Sequence, residues 1–123
     1  MSYHLDVGKL VDSIKYSPEA NIQFEVHISK ECSIPPGGKV RVKSNFGVYN
    51  IPETHYLYFK GIQTNIGIST KEGVFKNDSF GYIYVTIYNS SVEERMIPSE
   101  MHLGWVLVKS YSDFTNIDDK DSW

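Results

Sequence analysis

At 123 residues, with 41% hydrophobic and 14% aromatic side chains and a formal net charge of −3, the chain is sized for one domain with a single core. That composition excludes a disordered chain, no apolar run approaches the roughly 20 residues that span a bilayer, and the negative balance argues against a dedicated DNA- or RNA-binding surface. The single cysteine, Cys32, excludes an internal disulfide and cysteine-based zinc spacing.

The N-terminus carries neither the basic region nor the apolar core of an export signal, so the cytosol is the expected compartment. A short helix is expected next: Val7, Leu10, Val11 and Ile14 recur at i, i+3, i+4 and i+7 behind Asp6, an N-cap residue type, with Gly8 the one poor helix former. Residues 21–28 then alternate with period two, placing Ile22, Phe24, Val26 and Ile28 on one face and Gln23, Glu25 and His27 on the other. Cys32 reads as a small core or loop residue, because no helix N-terminus or basic cluster adjoins it to activate the thiol. Ser33-Ile34-Pro35-Pro36-Gly37-Gly38 is a turn cluster, in which proline fixes φ and glycine permits positive φ. The strand expected over residues 39–46 turns Val40 and Val42 inward and Lys39, Arg41 and Lys43 outward, so strand alternation accounts for the one basic run.

After a break at Ile51-Pro52, residues 55–60 predict another strand, and Gly61 and Gly67 reduce residues 62–71 to a short strand and loop. The segment Gly73-Val74-Phe75-Lys76-Asn77-Asp78-Ser79-Phe80-Gly81 is expected to be a glycine-framed hairpin leading into the clearest strand, residues 82–88. There Ile83, Val85 and Ile87 share one face and Tyr82, Tyr84, Thr86 and Tyr88 the other. Two more strands, residues 93–97 and 104–108, are separated by Pro98-Ser99-Glu100. Short strands with Gly/Pro punctuation imply an all-β sandwich or jelly roll over residues 1–112, with residues 113–123 an acidic C-terminal arm ending in Trp123.

The order of these segments is similar to that of the trimeric dUTPase family, all-β jelly-roll enzymes that hydrolyse dUTP. The 73–81 segment and the strand ending at Asn89 resemble that family's third motif, G-V-I-D-x-D-Y-x-G, without a gap. Ile34-Pro35-Pro36-Gly37 resembles its apolar-x-P-G turn, and Ile97-Pro98-Ser99-Glu100 resembles the entry to its fourth motif, offset by one residue. The resemblance covers roughly residues 21–108.

The residues that the family uses for chemistry are replaced. The resemblance puts Lys76 at the aspartate that activates water, and a protonated lysine accepts no proton. Ser79 stands where an aromatic stacks on the deoxyribose, and Gln23 where an acidic residue of the first motif, here Ala20-Asn21-Ile22-Gln23, holds magnesium through water. Phe59-Lys60-Gly61-Ile62 lacks the Arg and Ser of the second motif, Ser99-Glu100-Met101-His102-Leu103-Gly104 lacks the Arg and Gln of the fourth, and no glycine after Gly104 could build the fifth. His4, His27, His55 and His102 show no metal-ligand spacing, so no catalytic residue, metal or cofactor is expected.

The expectation is a non-catalytic dUTPase-fold accessory protein, viral in origin and acting in the host cytosol by binding a host or viral macromolecule, with a protein partner favoured. Tyr82, Tyr84 and Tyr88 form the candidate interface, since tyrosine buries a large area and keeps a hydroxyl; a half-buried tyrosine face under a neighbouring element is the structural alternative. The resemblance implies a homo-oligomer, a trimer. A nucleotide-sequestering protein is the second reading, with Lys60, Phe75, Lys76 and Asp78 as candidate ligand-binding residues because two cations replace catalytic groups there. A virion structural or decoration protein is the third.

Overall fold

The alternating segments become strands whose apolar sides meet across one core. The structure, a computed structural model, describes residues 2–14 and 22–111. Its elements are β1 (Tyr3–Asp6), α1 (Val7–Ile14), β2 (Gln23–His27), β3 (Cys32–Ile34), β4 (Lys39–Tyr49), β5 (His55–Gly61), β6 (Ile68–Thr70), β7 (Gly73–Phe75), β8 (Gly81–Asn89), β9 (Arg95–Ile97) and β10 (His102–Ser110). One four-stranded sheet has the order β1-β4-β8-β6, a second has β2-β10-β5-β7, and β3 pairs β9 in a two-stranded ribbon. This is the expected all-β sandwich of short strands with one short helix. The expected C-terminal arm and the Ala20-Asn21 pair lie outside the described residues.

The inward faces are those that the period-two pattern predicts. Val26 and Ile28 from β2 and the residue after it, Leu57 and Phe59 from β5, Ile83, Val85 and Ile87 from β8, and Val106 from β10 are all withdrawn from solvent. Each such side chain contributes roughly 1.5–3 kcal/mol relative to exposure, which makes this core the main stabilising term. Helix α1 closes one margin of the core with Val7 and Val11 buried and Leu10 packed beside them. Its cap is the predicted one: the Lys9 amide donates to Asp6 Oδ1 at 3.0 Å, and Asn50 Nδ2 donates to the same oxygen at 2.9 Å.

Three features depart from the sequence expectation. Strand β1 is unforeseen; it runs parallel to β4, with Tyr3 opposite Phe46 and Leu5 opposite Val48, and Leu5 is its one buried residue. Strand β4 runs on to Tyr49 through a register shift against β8 between Lys43 and Gly47, where the buried Ser44 hydroxyl accepts from the Phe46 amide at 3.1 Å. The third departure is the 73–81 segment. Strand β7 pairs β5 in the second sheet, whereas β8 pairs β4 and β6 in the first, so the segment is an arch crossing between sheets and not a hairpin. Boundaries move elsewhere: β10 extends the expected 104–108 strand at both ends, and Cys32–Ile34 pairs with β9 before the proline turn begins. In that turn the Gly38 amide donates to the Pro35 carbonyl at 3.0 Å, with Pro36 and Gly37 (φ 71°) at its centre. Burial pushes the Cys32 thiol above its ordinary pKa, away from the reactive thiolate.

Asn89 ties these pieces together at the end of β8. Its side chain is 1% exposed, and its Nδ2 protons are shared among the carbonyls of Ile34, Pro35 and Glu93 at 3.0, 3.1 and 2.8 Å. Its Oδ1 accepts from the Ser91 amide at 3.0 Å and the Ser91 hydroxyl at 2.6 Å. Asn89→Ala strands these buried partners and is expected to lower unfolding stability by roughly 2–4 kcal/mol, read by urea denaturation. A second expectation concerns pH. The bond from the Lys9 amide, then that from Asn50, holds the Asp6 carboxyl below its ordinary pKa. The cap's contribution is therefore complete above the unfolded carboxyl value and is lost as pH falls through the lowered folded one. The advantage in Tm of the parent over Asp6→Ala should stay constant near neutrality and shrink below roughly pH 4.

Candidate functional site

Because β5 alternates, the residues expected to bind ligand are divided between two faces. Leu57 and Phe59 point into the core, and Phe75 on β7 stands opposite Leu57 and packs against that core. Lys60 is exposed on the outer face of the same sheet, opposite Trp105 on β10, with its Nζ 5.9 Å from the indole ring centre. Lys60 and Phe75 thus occupy opposite sides of the second sheet. Lys60 lines a shallow depression of about 460 Å³ with Tyr58, Gln63, Thr70 and Glu72. There the Tyr58 hydroxyl donates to Glu72, and that bond raises the phenol above its ordinary pKa.

Phe75 and Asp78 line a different depression of about 290 Å³, under the arch, together with Ser79, Phe80, Arg41, Tyr82 and Tyr84. The arch narrows to a turn in which the Ser79 amide donates to the Lys76 carbonyl at 2.9 Å, and Lys76 projects into solvent at its tip. Two residues of this depression carry no signal in the sequence reading. Phe80, 85% exposed, is a large apolar ring held in water, and Arg41 comes from β4, far away in the chain. An exposed aromatic beside a basic residue could have been marked as a contact site, but only pairing of β4 with β8 places Arg41 there.

The candidate interface residues all fall on the outer face of the first sheet. Tyr82 and Tyr88 are half-buried and Tyr84 is 46% exposed. Antiparallel pairing sets Lys39 opposite Tyr88, Arg41 opposite Thr86 and Lys43 opposite Tyr84. Diagonal contacts follow: the Arg41 guanidinium lies 4.7 Å from the Tyr84 ring centre, and Lys43 Nζ lies 4.1 Å from that of Tyr82. Each such exposed contact contributes about 0.5–1 kcal/mol. His4 on β1 completes the row, its Nε2 2.9 Å from the Tyr82 hydroxyl.

The segments that resemble the enzyme motifs are neighbours in space. Gly104 on β10 stands opposite Gly61 on β5, and Phe59 stands opposite Gly73 on β7, so the counterparts of the second, third and fourth motifs lie side by side. Gln23 is exposed on β2, opposite Leu107 on the other side of β10. Among the described residues no three His, Cys, Asp or Glu side chains converge as a metal site, and no helix is long and apolar enough to cross a membrane.

No protein-family model matches the chain, and no curated protein sequence does. Solved structures match clearly. An aspartate-to-asparagine mutant of the dUTPase from phage phi11 of S. aureus superposes with a TM-score of 0.65 at 11% identity, covering 75% of this chain and 78% of that one. The dUTPase of Staphylococcus bacteriophage 80alpha gives 0.65 at 10% identity over 75% and 78%, and the EIAV dUTPase 0.62 at 12% over the same shares. The chain has the dUTPase fold. The two glycines framing the arch then carry different constraints: Gly81 has φ 100° with no atom near a would-be Cβ, while a Cβ on Gly73 would meet only the Phe75 ring at 4.0 Å. Gly81→Ala is expected to cost about 1–2 kcal/mol through backbone strain, and Gly73→Ala to stay within about 0.5 kcal/mol of the parent, both read by thermal denaturation.

Proposed function

We propose that this dUTPase-fold chain is a non-catalytic accessory protein of viral origin that acts by binding a macromolecule, in a homo-oligomer for which a trimer is the expected form. The observation that supports the reading is Lys76, exposed at the tip of the arch, a cationic side chain where the resemblance puts the activating aspartate. The outer face of the first sheet supplies the contact surface, with Tyr84 half exposed among cations. Phage and EIAV dUTPases as structural neighbours support a viral source, and phage dUTPases are described as controlling the transfer of virulence genes by a G protein-like mechanism, a regulatory role on this fold.

One observation favours a second reading, capture of a nucleotide without hydrolysis. The depression under the arch combines a guanidinium, Arg41, with the rings of Phe75 and Phe80, a cation for phosphate and faces for a base. Its cation is Arg41, and Lys60 opens elsewhere. With dUTP and magnesium, no dUMP release above background is expected; release that a Lys76 substitution removes would overturn the non-catalytic reading. Calorimetry with mono-, di- and triphosphates decides the second reading, which a flat titration ends. Light scattering on the same preparations should return three times the 14.1 kDa chain mass, and a monomer mass across a wide concentration range would refute the trimer.

A further inference from the structure

The acidic balance of the whole chain hides a concentration of positive charge on one surface. Of 12 lysines and arginines, Lys39, Arg41 and Lys43 stand on the outer side of β4. Lys71, whose amide donates to the Thr86 carbonyl at 3.0 Å, continues the face beyond β6. A third of the basic residues therefore share one sheet face in a chain of net charge −3. The carboxylate within this sheet's strands, Asp6, is at the far end and is taken up by the helix cap. Two carboxylates lie at the rim: Asp78 in the depression that Arg41 enters, and Glu31 in a hollow it lines with Lys30 and Lys43.

The rings between these cations define the partner. Same-face residues of a strand recur about every 6.7 Å, and β4 presents cations at that repeat while β8 presents tyrosines beside it. A four-stranded sheet whose two central strands offer flat rings and positive charge provides stacking faces for bases and counter-charges for a phosphate backbone. Tyr84 is 46% exposed with the Arg41 guanidinium layered against it, and that planar cation is itself a surface on which a base stacks. An acidic protein would need the charges and make little use of the ring row. We infer that the outer face of β1-β4-β8-β6 binds single-stranded nucleic acid, the phosphates running along Lys39, Arg41 and Lys43 and a base stacking at Tyr84. This rests on the reading that the chain acts by binding a macromolecule, and it names the class.

The test is fluorescence anisotropy with labelled oligo-dT and oligo-U of about 12 nucleotides, within the span that single-strand-binding grooves cover, at about 50 and about 200 mM salt. Saturable binding is expected at the lower salt, weakened roughly 20-fold at the higher if about three phosphates are neutralised on a single strand. Arg41→Glu with Lys43→Glu should abolish it. Tyr84→Ala should weaken binding about ten-fold and leave the salt slope unchanged; Lys109→Glu, the same type of charge reversal on the second sheet, should leave binding near the parent value. Melting temperatures establish that each variant is folded, and if the double reversal is not, the Tyr84→Ala result and the salt slope decide. Absence of binding at the lower salt, or equal loss with Lys109→Glu, overturns the inference. So does competition by a polyglutamate of matching length at equal concentration with Tyr84→Ala silent, which would mark a surface for acidic protein. A drop in oligomer mass in the double variant, with no oligonucleotide bound by the parent, would assign the face to contacts between copies. Measured dUMP release would defeat the non-catalytic reading and leave this titration to stand by itself.

Discussion

The buried Asn89 amide sets the frame on which the rest of this structure depends. Its side chain holds the Ile34 and Pro35 carbonyls at the entry of the turn, and its backbone N–H donates to the Gly38 carbonyl at the exit at 2.9 Å. The turn is thereby clamped to the end of β8, and β4 must start at Lys39 opposite Tyr88. From that starting register the cations of β4 fall beside the tyrosines of β8, and Val40 and Val42 beside Ile87 and Val85. A one-residue slip would exchange the two faces. One buried polar group thus specifies both which side of the sheet enters the core and which surface meets solvent. Its cost of burial is offset because the same amide also closes the loop to Glu93 and orders Ser91.

The arch between β7 and β8 has consequences of the same kind. A hairpin would have kept Phe75, Lys76 and Asp78 in one sheet with the tyrosine strand. Crossing instead between sheets, the chain packs a partly buried Phe75 against the core opposite Leu57, exposes Lys76 at the tip and gathers Asp78 and Phe80 with Arg41 from β4 around one depression. Gly81, at φ 100°, is the swivel that lets the chain enter β8 at this angle. A depression with one guanidinium and several rings results, while Lys60 belongs to a separate polar hollow beside Tyr58 and Glu72. The dUTPase fold therefore presents two separate depressions, one lined by Arg41 and the other by Lys60.

The strands themselves were largely legible in the sequence, because alternation is a local property: Ile83, Val85 and Ile87 are buried where period two places them, and Tyr82, Tyr84 and Tyr88 share the other face. The capped helix was legible for the same reason, through Asp6 and the i, i+3, i+4 spacing of Val7, Leu10 and Val11. Strand β1 was not, since Leu5 alone among its four residues is buried and one apolar residue makes no period. The candidate site was legible only in parts. Phe75 and Asp78, named from the sequence, line one depression, whereas Arg41 joins them there through a pairing that no local pattern records.

By itself, then, the sequence determined the class of fold, the inward residues of the long strands, the Pro-Gly turn and the helix cap, all of which depend on neighbours within a few positions. The tertiary structure decided which strands pair, that residues 73–81 cross between sheets, that Lys60 and Phe75 part company, and that four cations gather on one tyrosine-bearing face. The physical reason is that pairing and register are chosen by hydrogen bonds and burial between residues tens of positions apart. Net charge, summed over the whole chain, erases the position of every charge it counts.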